Sequence, residues 1–237
     1  MTSPIINVRK LVKRFGSKPV LRGMDFTVMA GEFVALVGPN GTGKTTFLRV
    51  LSSLSRPSLG LVSINGFQLP AQAAQVRRSL GVVSHLPLLY GDLTAEENLK
   101  FYGRMYSVPA LSERIQAVLA LVGLLPRRND LVRTFSRGMA QRLAIGRAVL
   151  HDPAVLLFDE PYTGLDQEAC DMLDRVLREV AGRGRTVVMT SHDLGRVQDL
   201  ASRFDVLAGG KIAASTTPAG LGSGNLLDFY REALAAK

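Results

Sequence analysis

The sequence predicts an α/β fold built around a mainly parallel β-sheet, and three observations support this prediction. Residues Phe33–Val37 form a short, nearly continuous apolar run, which is typical of a strand buried on both faces of a parallel sheet. Between about residues 93 and 150, apolar side chains recur at three- and four-residue spacings, which indicates helices. Strand-like runs return at 154–158, 186–190 and 204–207, so a helical insert interrupts an alternating pattern.

The first third of the chain predicts strands followed by a helix. Residues Ile5–Leu11 and Met24–Met29 read as strands, the second with apolar side chains alternating against polar neighbours. A glycine-rich turn then leads into a helix from Lys44 to about Ser53. Two further strands are expected at Leu61–Ile64 and Leu80–Val83.

The helical insert carries its own start signal. Thr94 precedes Glu97 by three residues, a capping box in which each side chain bonds the backbone N–H of the other. Pro109 and Pro126 separate the helical pieces. Later helices are expected at residues 168–180 and, after a Gly-rich linker at 220–224, at 226–235.

The composition excludes several classes of protein. With 237 residues and 46% hydrophobic content the chain can bury a full core, and 21% charged residues argue against disorder. Cys170 is the single cysteine, so no intrachain disulfide is possible and a reducing compartment is expected. No apolar stretch of about 18 residues occurs, so we expect no membrane span. The N-terminus lacks the apolar core of a signal peptide, so export of the chain is not expected.

Charge is unevenly distributed along the chain. Residues 1–85 hold 11 Lys/Arg against 2 Asp/Glu, whereas residues 151–237 hold 9 against 13. A basic first third suits a polyanion such as nucleotide phosphate, nucleic acid or anionic lipid. A solvated basic surface gives the same pattern, so charge alone leaves both readings open.

The strongest motif lies between the strand at 33–37 and the helix that starts near residue 44. It reads Gly38-Pro39-Asn40-Gly41-Thr42-Gly43-Lys44-Thr45, with Thr46 next, and it matches the pattern G-x-x-x-x-G-K-[ST]. Glycines let the backbone approach phosphate closely, and successive N–H groups supply positive potential. We therefore expect the loop to bind nucleotide phosphates, Lys44 to reach the β- and γ-phosphates, and the Thr45 hydroxyl to ligate Mg²⁺.

A second motif ends the apolar run Val155–Phe158 with two carboxylates, Asp159 and Glu160. Asp159 is expected to hold Mg²⁺, and Glu160 to polarise or orient the water that attacks the γ-phosphate. An apolar run that ends in Asp-Glu is weak evidence alone. Together with the Lys44 loop upstream, it predicts a P-loop NTPase that hydrolyses its nucleotide.

The segment Phe135-Ser136-Arg137-Gly138-Met139, followed by Gln141-Arg142, resembles the signature sequence of ATP-binding cassette (ABC) ATPases, usually written LSGGQ. The other family motifs also appear in the family's order along the chain. Phe15 resembles the aromatic residue that stacks on adenine, and Gly164-Leu165-Asp166 resembles the D-loop. His192 resembles the switch histidine, which bonds the γ-phosphate and holds Glu160 and water in place. On these motifs the chain is identified as a member of the ABC ATPase family over essentially its whole length.

This resemblance implies a P-loop NTPase core with a mainly parallel sheet, an N-terminal antiparallel β subdomain and an inserted helical subdomain. One domain would span residues 1–237, with core and β subdomain at 1–85 and 151–212, helical subdomain at about 86–150 and a short tail at 213–237. Two subunits, as a nucleotide-dependent homodimer, would face head to tail. Ser136 and Gly138 of one subunit would then contact the γ-phosphate bound by the other, with Asp166 also among the nucleotide-binding residues. Ser136 would at the same time cap a helix.

The chain departs from the family pattern at three places. Arg137 replaces the first signature glycine and either adds charge near the γ-phosphate or faces solvent, of which we favour solvent. His85 stands where the family has its Q-loop glutamine, and either contacts Mg²⁺ and the attacking water or only caps a strand. Phe15 replaces the usual tyrosine and keeps the stacking surface, unless it is a core residue.

The resemblance does not determine which process ATP hydrolysis by this chain drives. We favour the ATP-hydrolysing subunit of a transporter whose integral-membrane permease is a separate chain, with the ATPase peripheral on the cytoplasmic side of the membrane. The apolar loop Leu86–Tyr90 suits contact with that permease, or core packing. The alternative is an ABC ATPase acting on nucleic acid or the ribosome, although no nucleic-acid partner is expected. Export is favoured over import, and features around Ser84-His85 and Asp159–Asp166 resemble haem exporters of cytochrome c biogenesis.

Overall fold

The computed structural model describes residues 3–84, 86–222 and 224–235. The strands in chain order are β1 Ile6–Phe15, β2 Lys18–Val28, β3 Phe33–Val37, β4 Leu59–Ile64, β5 Phe67–Leu69, β6 Leu80–Val83, β7 Val155–Asp159, β8 Thr186–Ser191, β9 Arg203–Ala208 and β10 Lys211–Thr216. The helices are α1 Lys44–Leu51, α2 Ala73–Arg78, α3 Ala95–Met105, α4 Leu111–Leu121, α5 Arg137–Val149, α6 Gln167–Gly182, α7 Leu194–Gln198 and α8 Leu226–Ala235.

The larger sheet has the strand order β10-β9-β3-β8-β7-β6. Strands β9, β3, β8, β7 and β6 are parallel, and β10 pairs antiparallel with β9 at one edge. Because parallel strands end at the same edge of a sheet, the segments that follow β3, β7 and β8 lie side by side. This edge brings Gly38, Glu160 and His192 together, although they are far apart in sequence.

Strand β3 explains why its sequence is apolar throughout. Phe33, Ala35 and Val37 pack into a core on one face of the sheet, whereas Val34 and Leu36 pack into a second core on the other face. All five side chains are buried. The apolar run is therefore a strand covered on both faces, as the sequence predicts.

A smaller antiparallel sheet, with strand order β2-β1-β4-β5, covers the second core. Its register shifts within β1 after Val8, where Lys10 adopts a positive φ of 48°. Such a shift is a β-bulge, and it adds twist to the sheet. The sheet corresponds to the predicted antiparallel β subdomain.

The predicted helical insert comprises α3, α4 and α5, packed around buried aliphatic side chains. Thr94 and Glu97 form the predicted capping box at the start of α3. At the other end of the insert, the Arg114 guanidinium on α4 donates to the carbonyl oxygens of Val149 and Leu150, at 2.7 and 2.9 Å. These bonds satisfy acceptors that the last turn of α5 leaves free.

Four of the helices and strands were not predicted from sequence: β5, α2, α7 and β10. Strand β10 alternates exposed and half-buried residues, and its side chains are mostly small, so its apolar signal is weak. It extends the larger sheet to Thr216, beyond residue 213 where the tail was predicted to begin. The helix predicted at 226–235 is present as α8. Within the described ranges, no helix combines the length and the apolar character needed to cross a bilayer.

His151, to which the sequence assigns no role, is packed at the junction of the insert and the core. Its ring stacks on Tyr106 with centroids 3.9 Å apart, and its Nε2 lies 3.0 Å from the carbonyl oxygen of Leu80. Burial lowers the pKa of His151 from 6.5 to about 4, because the charged imidazolium would lose hydration. The imidazole is therefore neutral in the folded protein at neutral pH.

This shift predicts acid sensitivity. Between pH 6.5 and pH 4 the unfolded histidine binds a proton that the folded one does not, so stability is full above pH 6.5 and falls as pH drops towards 4. We expect His151 to account for a loss of roughly 2–3 kcal/mol over this window. Urea unfolding of the wild type and His151→Gln at pH 7, 5.5 and 4.5 measures it, and the variant should show the flatter pH dependence. Parallel curves for the two proteins would contradict this assignment.

Candidate nucleotide-binding site

The loop after β3 adopts a conformation that depends on glycine. Gly43, directly before α1, has a φ of 109°, in the region that L side chains rarely adopt. Gly38 is confined by neighbouring backbone, since a Cβ at this position would lie 2.4 Å from the carbonyl oxygen of Leu207. Thr42 Oγ1 donates to the carbonyl oxygen of Pro39 at 2.9 Å and so fixes the loop. The backbone N–H groups of the loop thus stand before a helix N-terminus, where an anion is stabilised.

Lys44 lies at the centre of the site and is 6% exposed. Its Nζ donates to the carbonyl oxygens of Gly38 and Pro39, at 2.7 and 3.3 Å. The same nitrogen lies 3.6 Å from Glu160 Oε1. The ammonium group is therefore held between the loop and the carboxylate at the end of β7.

Asp159 ends β7 and is almost fully buried. Its Oδ1 accepts hydrogen bonds from Thr45 Oγ1 at 3.1 Å and from Thr190 Oγ1 at 2.8 Å. Thr45 lies in the first turn of α1 and Thr190 lies on β8. The Asp159 carboxylate at the end of β7 therefore links β7 to α1 and to β8. A carboxylate beside a threonine hydroxyl is the oxygen donor set that Mg²⁺ prefers, so these residues fit a magnesium ion.

Glu160 adopts a positive φ of 50°, which is uncommon for a residue other than glycine. Its backbone N–H donates to Oγ1 and to the carbonyl oxygen of Thr190, at 3.0 and 3.2 Å. Its Oε2 lies 2.6 Å from His192 Nδ1. The strained backbone is thus held by β8, and the side chain is placed between Lys44 and His192.

A groove of about 720 Å³ runs from the loop that carries Lys44 to the start of α5. Glu160 and His192 line it on one side, and Arg137 and Gln141 line it near α5. Among the predicted loop residues, the lining includes Asn40, Gly41, Gly43, Lys44, Thr45 and Thr46.

Phe15 ends β1 outside the lining of this groove, and it is 55% exposed. The ammonium of Lys13 lies 5.0 Å from the centre of its ring. Phe15 is therefore not a core residue, which removes one of the two sequence alternatives. Its exposed ring is free to stack on a flat ligand.

The predicted signature residues lie at the start of α5. Ser136 precedes the helix, and its Oγ accepts from the backbone N–H of Met139 at 3.2 Å, so the predicted cap is present. Asp166 caps α6 in the same way through the N–H of Ala169, at 2.8 Å. In the part of the chain that the structure describes, neither of these side chains forms a hydrogen bond to the Lys44 loop. Arg137 is exposed beside Ser136. His85 lies outside the described residues.

Sequence reasoning assigned no role to Thr190, although this residue bonds both carboxylate-bearing residues of the site. The available signal was a polar residue at the end of the apolar run that precedes His192. Its partners could not be read from sequence, because they depend on β7 lying next to β8.

This fold and this site define an ATP-binding cassette of the P-loop class. The profile of the ABC transporter family matches residues 21–163. The Nod factor export ATP-binding protein I of Burkholderia lata is 38% identical over 215 residues, covering 90% of this chain and 71% of the relative. The linearmycin resistance ATP-binding protein LnrL of Bacillus subtilis is 33% identical over 215 residues, covering 90% and 69%. The chain belongs to the ABC transporter family, as an ATP-binding subunit, which confirms the resemblance seen in its motifs.

Solved structures agree with this assignment and confirm the predicted fold class. An ATP-binding subunit of an ABC transporter superposes with a TM-score of 0.89 at 30% identity, covering 97% of this chain and 99% of that chain. A dimeric ATP-binding cassette in a post-hydrolysis state, bound to ADP and Pi, superposes with a TM-score of 0.82 at 25% identity, covering 90% and 98%. The family assignment implies that the chain hydrolyses ATP.

Proposed function

We propose that this chain is the ATPase subunit of an exporter and powers a separate membrane permease. The observation that carries the proposal is the cluster of Lys44, Glu160 and His192 beside the Asp159–Thr45 pair at one edge of the sheet. A phosphate-binding cation, a metal-binding carboxylate and a general base are the three groups that phosphoryl transfer to water requires.

ATP binding is assigned to the loop Gly38–Thr46, with Lys44 on the β- and γ-phosphates and adenine stacked on Phe15. Lys44 would exchange its present carbonyl partners for phosphate oxygens, which are stronger acceptors because they are charged. Thr45 and Asp159 would hold Mg²⁺, and this ion supplies charge neutralisation on the phosphate oxygens when bound.

Hydrolysis is assigned to Glu160 as general base, with His192 as its positioning partner. Glu160 would accept a proton from water while the water oxygen bonds to the γ-phosphorus and the bond to the β-phosphate oxygen breaks, giving ADP and phosphate. The 2.6 Å contact with His192 fixes the orientation of the carboxylate, and His192 is exposed enough to reach the γ-phosphate.

Two subunits are proposed to close over two ATP molecules, each nucleotide lying between one chain's loop and the other chain's Ser136 and Gly138. The dimeric cassette among the structural neighbours supports the pairing of two subunits. A hydroxyl and a glycine N–H at the start of α5 can meet anionic oxygens without a steric barrier.

Export is favoured because the two relatives described above carry the names of an export system and a resistance system. Neither name mentions haem, so we propose export without retaining haem as its cargo. The proposal is tested by titrating the purified chain with ATP, with Mg²⁺ or with EDTA, and by measuring phosphate release. A chain that binds no adenine nucleotide would refute it.

The permease contact is assigned to an apolar surface patch formed by Leu86, Leu88, Tyr90, Phe101 and Met105. These side chains are between 43% and 58% exposed. The Tyr90 and Phe101 rings meet edge to face with centroids 5.0 Å apart, so the patch is ordered by its own packing. Large exposed apolar side chains gathered beside the end of β6 are typical of an interaction surface. A helix of the permease on the cytoplasmic side would cover them.

A charged side chain in this patch is expected to uncouple ATP hydrolysis from transport by the permease. Phe101→Asp should leave the ATPase rate of the isolated chain within about twofold, because this side chain does not line the groove and is already exposed. Transport and co-purification with the permease should be lost, because a charge would be buried in an apolar contact. Leu61→Asp is the matched control, since Leu61 is a similarly exposed apolar residue on β4. If Phe101→Asp transports as well as Leu61→Asp does, the permease contact does not lie on this patch.

A further inference from the structure

Arg137 places a positive charge in the signature segment, and no acidic side chain of the described residues pairs with it. In the described part of the chain its guanidinium forms no salt bridge and no side-chain hydrogen bond. Two other arginines do form salt bridges: Arg133 with Asp92 and Arg196 with Asp174. Arg137 nevertheless lines the same groove as Glu160 and His192.

The position of the guanidinium is set by Gly164. A Cβ on Gly164 would lie 2.4 Å from Arg137 Cζ, so the guanidinium occupies the space that a side chain at position 164 would fill. Gly164 has a φ of 73°, which favours glycine independently of this contact. The arginine is therefore packed along the segment that follows Glu160, although it is exposed.

That segment is itself held firmly. Gln141 on α5 donates to the carbonyl oxygen of Pro161 at 3.3 Å, and the Tyr162 hydroxyl donates to Asp174 at 2.6 Å. Burial raises the pKa of Tyr162 and keeps this hydroxyl protonated as a donor. Two anchors thus hold the backbone on which Arg137 rests, and this reduces the conformational entropy that the side chain loses when it binds an anion.

We propose that Arg137 binds the triphosphate held by the opposite subunit, beside Ser136, with Gly164 providing the space that places its guanidinium. This inference rests on the proposed head-to-tail dimer and deepens it, because it assigns a recognition role to a residue whose sequence reading favoured solvent. A guanidinium fork matches phosphate oxygens in two-point contact, which a glycine at this position could not supply.

The test uses the ATP concentration that drives dimerisation in a Glu160→Gln background, measured by light scattering after gel filtration. Arg137→Ala should raise this midpoint by about tenfold or more, since hydrogen bonds to charged groups are lost. Arg137→Lys should recover part of the shift, because it keeps the charge. ATP affinity of the dilute monomer should change much less than the dimerisation midpoint, because the chain's own loop supplies the phosphate contacts in the monomer. Arg178→Ala, an exposed arginine on α6, is the control for removing one positive charge.

A double-substitution cycle tests the role of Gly164. Gly164→Ala should shift the midpoint further when Arg137 is present than in the Arg137→Ala background, where the displaced guanidinium is absent and only the backbone strain of an alanine at a φ of 73° remains. The proposal is overturned by an unchanged midpoint in Arg137→Ala, or by an Arg137→Lys midpoint equal to that of Arg137→Ala. If Glu160→Gln alone stays monomeric with ATP, the dimer itself fails, so the two failures can be told apart.

Discussion

Glu160→Gln is expected to lower the rate of ATP hydrolysis by about 10²–10⁴-fold and to trap an ATP-bound dimer. Glutamine keeps the size of the side chain and an oxygen that can face His192, but it cannot take the proton from water. It also removes a negative charge 3.6 Å from the Lys44 ammonium, so repulsion of the γ-phosphate falls while the cation remains. ATP should then bind without being consumed. Gel filtration with and without Mg-ATP measures the dimer, and phosphate release measures the rate.

The matched control for this variant is Glu113→Gln, which makes the same chemical change at an exposed position of α4. It should hydrolyse ATP at the wild-type rate and should not accumulate as a dimer. A Glu160→Gln chain that remains monomeric at saturating Mg-ATP would contradict the head-to-tail arrangement. Wild-type turnover in Glu160→Gln would instead contradict the assignment of the general base.

Lys44→Ala is expected to weaken ATP binding by about 10–100-fold and to remove measurable hydrolysis. The 6% exposure of Lys44 means that its ammonium is largely withdrawn from water and poised for a buried anion. Without it, the negative charges of Asp159 and Glu160 face the triphosphate with no cation contributed by the loop. Titration calorimetry with ATP measures the affinity.

Lys211→Ala removes an equivalent charge from an exposed position at the start of β10 and should leave ATP affinity unchanged. Thermal unfolding of both variants separates loss of binding from loss of fold, since Lys44 also bonds two loop carbonyls. Normal ATP affinity in a folded Lys44→Ala chain would place the triphosphate elsewhere.

Local features of the fold were predictable because their causes lie within a few residues. The Thr94–Glu97 capping box forms between neighbouring positions, and Ser136 bonds an N–H three residues along the chain. The apolar run of β3 indicated burial on both faces for the same reason, since an apolar side chain at each successive position favours burial of that position. Strand β10 was not predicted because it lies at the edge of the sheet and has mostly small side chains. Such a strand buries little apolar surface, so its sequence lacks a clear apolar pattern.

Contacts within the site were predictable only in part. The motif Gly38–Thr45 and the Asp159-Glu160 pair were identified, and their proximity followed from the chemistry that requires both. The bonds of Thr190 to Asp159 and Glu160 were not, nor was the packing of Arg137 on Gly164. Each joins residues about 27–31 positions apart, and no local pattern records such a pairing.

The sequence by itself determined the glycine-rich motif Gly38–Thr45, the order of the family motifs and the two-sided burial of the central strand. These follow from backbone conformation, spacing and hydrophobicity, which neighbouring residues fix. The tertiary structure decided which strand lies beside which, and hence that Lys44, Glu160 and His192 meet within hydrogen-bond or ion-pair distance. The physical reason is that packing between distant segments sets the strand order in a parallel sheet. That order then determines which side chains at the strand ends lie next to each other.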